Sequence, residues 1–315
     1  MGMIGEALVS QVSKFTKTAS LDNYAGNLQN IGVDPSSVKD VRQLIEDGCD
    51  PLHAAYAAMQ NLVSVFAESV SVLPELKAYC DIAGPAEEEY MPTGPPMSPL
   101  TGSYFTCWAF FDLQFGPDRE TITTCLLEVA EHLGYSADMI RVLELMQASR
   151  MGIYEHCGNQ RGLVQLTELV SRKAYLCHVP AGYSGEKGQR WLVRILPAMN
   201  DSFDYSVVFN TPYILTDQTE ADWTAFLKRT LLTMGEPNEA KTLHALMKYG
   251  PETHYWNEYI FQAFHHSQNN AIFLAGLPDV KDSLPHGDLF KKKAALPKKR
   301  VRNRNLRLKK KRRRK

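Results

Sequence analysis

The chain has 315 residues, 44% of them hydrophobic, and its 35 Lys and Arg balance its 35 Asp and Glu. This length allows two domains and a tail, and the apolar content excludes a wholly disordered chain. The sequence has no run of 18 apolar residues, so no membrane span is predicted, and the six cysteines form no CxxC pair. Because no export signal is present, we predict reduced thiols and a cytoplasmic protein, nuclear or nucleolar in a eukaryote, that is not secreted.

Residues 1–83 are predicted to form a helical amino-terminal domain. Two helix starts have the same pattern, Asp34 before Pro35 and Asp50 before Pro51, with Asp as the cap and Pro in the first turn. Residues 84–102 contain five Pro and three Gly, which predicts a linker or loop.

Residues 103–150 are predicted to form a strand followed by a pair of helices. The apolar run SYFTCWAFFDLQF favours a strand, although a buried helix has the same pattern. Its aromatic residues indicate packing of a helix against a sheet, and the alternative is a pocket for a small molecule or peptide. Ser136 is the predicted cap of the second helix.

Residues 151–216 contain five short runs rich in β-branched and aromatic residues, separated by turn signals. Runs spaced this closely predict a small five-stranded antiparallel barrel or sheet, and a Greek-key barrel is one solution. Residues 217–290 return to helical patterns, with Thr219 and Asp222 placed as a capping box and NAIFLAGL as either a last strand or a docking segment. The predicted fold class is therefore α+β, with a disordered basic tail over residues 291–315.

The runs GIYEHCG, VQLTELVSRKAYLCHVP and GQRWLVRILP carry a resemblance to a known kind of segment. Residues 151–215 resemble a small β-barrel segment of uncharacterised bacterial proteins, some of which end in a Cys-rich zinc-binding motif. The resemblance implies a barrel and no activity, and in this chain the basic tail stands where those proteins have the Cys-rich end.

Two Cys–His pairs are the first candidate site, because Cys and His are the usual zinc ligands. His156 is followed by Cys157, and Cys177 is followed by His178. Adjacent residues of a strand point to opposite faces, so one face could offer about two ligands where a structural zinc needs four. We therefore predict no metal here, and no cofactor is predicted for the chain.

A second candidate site lies in THYWNEYIFQAFHHS. On a continuous helix, His254, Glu258 and His265 would lie along one stripe. A histidine beside a carboxylate can transfer protons near neutral pH, so these three are the candidate catalytic residues. The alternative is that these residues form a stripe on the surface of the helix, while the opposite side of the helix faces the core.

The tail, residues 291–315, has the most uneven charge in the chain. It holds nine Lys and seven Arg without an acid, so the body, residues 1–290, keeps 19 bases against 35 acids and a formal charge of −16. The predicted nucleic-acid-binding residues are Lys291, Lys292, Lys293, Lys298, Lys299, Arg300, Arg302, Arg304, Arg307, Lys309, Lys310, Lys311, Arg312, Arg313, Arg314 and Lys315.

These observations leave three functions open. The first is a non-catalytic nucleic-acid-associated protein whose tail contacts the phosphates of DNA or RNA without sequence specificity, because the tail has no aromatic residue to stack on bases. The second is a protein-interaction or assembly module, in which the tail is an address, a solubility segment or a contact for an acidic protein. The third is an enzyme with a site around His254, Glu258 and His265.

Overall fold

The computed structural model describes residues 2–18, 41–93, 97–234 and 239–287. In this part of the chain ten α-helices are found: α1 Met3–Thr18, α2 Val41–Glu46, α3 Pro51–Val70, α4 Lys77–Tyr90, α5 Gly102–Cys107, α6 Ile122–Val129, α7 Ala137–Ala148, α8 Glu220–Met234, α9 Glu239–Tyr249 and α10 Tyr255–Ala263. The strands are β1 Met151–Gln160, β2 Leu163–Glu168, β3 Ala174–His178, β4 Arg190–Leu196, β5 Ser206–Val208, β6 Tyr213–Thr216, β7 Phe264–Gln268 and β8 Ala271–Ala275. None of the helices described has the length and apolar character that crossing a membrane requires.

Five strands close into a barrel, which confirms the α+β fold with a small five-stranded barrel. Each neighbour in the order β1-β2-β3-β5-β4 is hydrogen-bonded, and β1 also pairs with β4 to complete the ring. One junction differs from the antiparallel prediction, because β3 and β5 pair in parallel through Cys177 and Ser206. The last predicted run is divided into β5 and β6. β6 pairs with β8, and β8 pairs with the edge strand β7.

The barrel has one face toward its own interior and one toward the helices. Along β4, Trp191, Val193 and Ile195 belong to the barrel's interior cluster, whereas Leu192 and Leu196 belong to the larger core shared with the helices. This division follows the alternation of side chains along a strand. Because both faces of β4 are covered, its sequence is apolar almost throughout.

Carboxylates hold the first turn of α1 against the segment that leads into α6. Glu120 accepts hydrogen bonds from the backbone amides of Ile4 and Gly5 at 3.1 and 2.9 Å, and Asp118 accepts one from Met3 at 2.8 Å. The first amides of a helix have no partner within the helix, and its dipole favours negative charge there. These carboxylates therefore dock α1 as well as cap it.

Several predicted helix starts are confirmed. The Asp50 carboxylate accepts from the His53 amide at 2.9 Å, and the Ser136 hydroxyl accepts from the Met139 amide at 3.3 Å. Thr219 and Asp222 form the reciprocal pair of a capping box, with an amide-to-side-chain bond in each direction. The predicted start at Asp34 and Pro35 lies outside the described residues.

Two predictions about the middle of the chain are wrong. The run from Gly102 to Asp112 is helical rather than a strand: α5 begins at the Thr101 cap and continues as a π-helix from Trp108 to Asp112. Its apolar residues are buried between layers, an environment that an apolar pattern alone does not distinguish from a strand. The predicted linker begins too early, since α4 passes through Pro85 and ends at Tyr90.

Candidate functional site

Three charged side chains meet where the barrel contacts the helices, and we call Asp112, Arg194 and Lys248 the charge cluster. Asp112 ends the π-helix, Arg194 lies in β4 and Lys248 is near the end of α9. The three residues are 6, 1 and 3% exposed, so water does not screen their charges. The Arg194 guanidinium pairs with one oxygen of Asp112, and the Lys248 ammonium lies 3.2 Å from the other.

Backbone carbonyls at the end of α7 and just after it also contact the two cations. Lys248 Nζ donates to the carbonyl oxygens of Gln147 and Ser149, the second at 2.8 Å. Arg194 Nη1 donates to the Ser149 carbonyl at 3.1 Å and to the Ser149 hydroxyl at 2.8 Å. The cluster therefore joins the π-helix, the barrel, α9 and the end of α7 at one point.

The pKa of Lys248 is lowered to about 8, chiefly by burial; Asp112 opposes the shift, and the neighbouring Arg194 adds to it. A lysine with such a pKa beside a cavity is a candidate for covalent or proton-transfer chemistry. The adjoining cavity has a volume of about 10 Å³, enough for roughly one water molecule. Its lining residues are Tyr104, Trp108, Asp112, Met151, Met247, Lys248, Tyr249, Thr253 and Trp256. A substrate does not fit in this space, so the geometry favours a structural role for Lys248.

His254 and Glu258, two of the predicted site residues, lie close to this cavity. Glu258 accepts a hydrogen bond from the Tyr90 hydroxyl, and the His254 ring lies 5.8 Å from the Tyr90 ring and 5.4 Å from the Trp108 ring. Burial lowers the pKa of His254, which favours a neutral imidazole. The two residues share Tyr90 as a neighbour, and aromatic packing surrounds the histidine.

His265, the third predicted residue, does not continue the stripe. α10 ends at Ala263, and His265 lies in the edge strand β7, where its Nδ1 atom is 2.7 Å from Nδ1 of His266. The prediction treated residues 254–265 as one helix, but the chain turns at Phe264 to pair β7 with β8. His254 and His265 are therefore on different elements.

The two Cys–His pairs are separated in the way that strand alternation predicts. His156 is buried, its Nε2 atom is 2.9 Å from the Ser184 carbonyl, and Cys177 belongs to the barrel interior. Cys157 instead contacts the Thr167 hydroxyl at 3.3 Å. Across the described ranges, His, Cys, Asp and Glu side chains form no group of three that could hold a metal ion.

The predicted aromatic segment is a packing element. The Tyr104 hydroxyl donates to Asn257 Oδ1 at 2.9 Å, Trp108 Nε1 donates to the Thr253 carbonyl at 3.2 Å, and Phe111 is fully buried. Sequence reasoning missed the charge cluster that follows this segment. The available signal was a single charge inside each apolar run, Asp112 in FFDLQF and Arg194 in WLVRIL.

The described part of the chain is thus an α+β protein whose barrel and helices meet at a buried charge cluster. No protein-family model matches the chain, and neither a curated protein nor a solved structure matches it. The resemblance of residues 151–215 to a bacterial barrel segment stays a prediction. The sixteen basic residues from Lys291 to Lys315 lie outside the described residues.

Proposed function

We propose that the protein is a non-catalytic, nucleic-acid-associated protein whose tail contacts phosphates without reading base sequence. The observation that carries the proposal is the separation of charge, sixteen Lys and Arg in residues 291–315 against a body of formal charge −16. Sixteen cations in 25 residues make a dense positive segment, and neutralisation of phosphates supplies most non-specific affinity for nucleic acids.

The ion pairs of the body support this division of roles. Among the described residues, the Lys and Arg side chains that lie within 4 Å of a carboxylate include Lys77, Arg141, Arg150, Arg172, Arg194, Arg229 and Lys248. A cation that already faces a carboxylate gains less from a phosphate. The tail has no acid of its own, so its cations have no carboxylate partner within the tail.

The outer face of the barrel is the obvious alternative contact surface. Five-stranded Greek-key barrels bind oligonucleotides through the face of strands 2 and 3, where aromatic and basic residues hold bases and phosphates. The positions of β2 and β3 that alternate with the interior residues carry Leu163, Gln165, Thr167, Ala174, Leu176 and His178, without Phe, Tyr, Trp, Lys or Arg. This composition favours the tail over the barrel as the contact.

Two electrostatic effects oppose each other in this proposal. The body repels a polyanion, but its 35 acids are spread over 290 residues, whereas the tail concentrates its charge in 25. Screening weakens interactions beyond about 8–10 Å at physiological salt, so local charge density decides the outcome. If about eight tail cations meet phosphates, the slope of log affinity against log salt is roughly −7.

Fluorescence anisotropy with a labelled duplex between about 50 and 200 mM salt tests the proposal. The tail variant changes Lys309, Lys310, Lys311 and Arg312 to Gln, and the matched control changes the exposed body residues Arg161, Lys187, Lys228 and Lys281 to Gln. Both variants lose four positive charges. We expect the tail variant to reduce the slope to roughly −5 because about two phosphate contacts are lost. The control keeps the wild-type slope.

Two results contradict the proposal. If the full-length protein does not bind the duplex at about 50 mM salt, the tail is not a phosphate contact. If the two variants change the slope equally, the body contributes as much as the tail. Either result makes the assembly module, with the tail as an address or solubility segment, the better hypothesis.

A further inference from the structure

The edge strand β7 contains a β-bulge that places two histidines side by side. Phe264 pairs with Leu274 and His266 pairs with Phe273, the next residue of β8. His265 is therefore an extra residue of β7 without a partner in the β8 register. In a regular strand, neighbouring side chains point to opposite faces, and a bulge removes this alternation locally. As a result, the Nδ1 atoms of His265 and His266 are 2.7 Å apart.

The surroundings of the histidine pair, His265 and His266, leave both rings open to solvent. Both residues are exposed, yet the His266 ring stacks on Phe273 with its centroid at 4.3 Å and an interplanar angle of 9°. This stacking fixes the orientation of one imidazole, and the Nδ1 contact fixes the other. Two donor atoms that are already neighbours lose little conformational entropy when the rings turn to bind the same ion.

We propose that the histidine pair is a two-nitrogen binding site for a divalent transition-metal ion, with Cu²⁺ as the preferred ion. Metal–imidazole bonds are about 2.0–2.1 Å long, so two nitrogens at 90° around one ion are about 2.9 Å apart. The two Nδ1 atoms share a hydrogen bond at 2.7 Å, so a small turn of the rings brings both lone pairs to one ion. Cu²⁺ is the preferred ion because nitrogen ligands bind it more tightly than the other divalent first-row ions, Zn²⁺ included.

The hydrogen bond between the rings can be replaced by two metal bonds without gain or loss of a proton. In the neutral pair, one imidazole donates its Nδ1 proton to the Nδ1 lone pair of the other. On metal binding, that proton moves to Nε2 of its own ring, and both Nδ1 lone pairs then face the ion. Water fills the remaining positions. The site is independent of the proposed function, because Lys and Arg of the tail are cations and do not compete as ligands at neutral pH.

Isothermal titration of the full chain with Cu²⁺ at pH 7.5, together with electron paramagnetic resonance, tests the site. We expect one ion per chain at this site, with hyperfine splitting from two imidazole nitrogens. His265→Ala removes one of two linked ligands and should weaken binding roughly 100-fold. The matched control His132→Ala removes an exposed histidine elsewhere and should leave the affinity unchanged.

His266→Gln provides a second variant, and because the ring of His266 packs on Phe273, its thermal unfolding is measured first. His265 is exposed, so His265→Ala keeps the test valid if His266→Gln unfolds. The proposal is overturned if the wild-type protein and His265→Ala bind Cu²⁺ alike, or if the spectrum of the wild-type protein lacks splitting from two nitrogens. Tighter binding of Zn²⁺ than of Cu²⁺ also overturns it.

Discussion

Two carboxylates anchor the helices in different electrostatic surroundings. Asp112 faces two cations, Arg194 and Lys248, whereas Glu120 faces backbone amides at the start of α1. Both carboxylates are buried. Loss of the first leaves two charges without a counter-ion, while loss of the second leaves amides without an acceptor. The comparison shows that the stability lost when a buried carboxylate is removed depends on which groups lose their partner.

The largest expected effect is that of Asp112→Asn. This variant keeps the shape of the side chain but leaves Arg194 and Lys248 as buried cations that repel each other. Breaking a buried ion pair in this way costs about 3–5 kcal/mol. Urea denaturation followed by circular dichroism measures the change in the free energy of unfolding.

Asp81→Asn is the matched control for that prediction, since Asp81 pairs with Lys77 on the surface, where the two side chains are 61 and 71% exposed. We expect the control to change stability by less than about 0.5 kcal/mol. If the two variants lowered the free energy of unfolding equally, burial of the charge cluster would add nothing to the stability that its ion pairs provide.

A smaller effect is expected from pH, through Lys248. Its pKa is lowered to about 8 from the ordinary 10.5, so between these values the unfolded chain binds a proton that the folded protein has released. The free energy of unfolding therefore rises with pH across this window on account of Lys248. Denaturation at pH 7.5 and 9.5 measures the rise as a difference between the wild-type protein and Lys248→Met.

In Lys248→Met this contribution is absent, and Asp112 keeps Arg194 as its counter-ion. Because tyrosines and cysteines also titrate in alkaline solution, only the difference between the two proteins is informative. Equal pH dependence of the two proteins would mean that Lys248 keeps its ordinary pKa in the folded state.

Glu120→Gln should have the smallest effect of the three. The amide oxygen of Gln can still accept one hydrogen bond, but its NH₂ group faces the second backbone amide of α1. Loss of one buried bond and one charge costs about 1–3 kcal/mol. We expect the loss to appear as faster hydrogen exchange of the Ile4 and Gly5 amides.

Glu6→Gln is the control for the first turn of α1, because Glu6 is exposed and has no part in the docking bonds. We expect Glu6→Gln to change the free energy of unfolding by less than about 0.5 kcal/mol, as for other exposed charges near a helix start. Unchanged exchange of Ile4 and Gly5 in Glu120→Gln would contradict the docking role of Glu120.

Much of the fold could be predicted from local signals. Asp50 and Ser136 are caps whose bonds lie within one helical turn, and the alternation of Trp191, Leu192 and Val193 follows from strand geometry. Such features depend on nearby residues only. For the same reason the five barrel runs were recognisable without knowledge of their pairing partners.

The parts that could not be predicted depend on distant residues. The segment before Asp112 packs into the core shared by helices and barrel, and an apolar pattern does not show whether the element in such surroundings is a helix or a strand. The charge cluster joins residues 112, 194 and 248, whose proximity no spacing rule predicts. The break in the histidine stripe arises because β7 pairs with β8.

The parallel pairing of β6 with β8 has a consequence for the order of folding. Residues 213–216 pair with residues 272–275, and three helices lie between the two strands in sequence. The five barrel strands are complete once residue 208 has left the ribosome, whereas the β6 edge stays open until β8 is made. Closing so long a loop is slow compared with forming the local hairpins. During synthesis the edge of β6 is therefore open to premature contacts with other nascent chains.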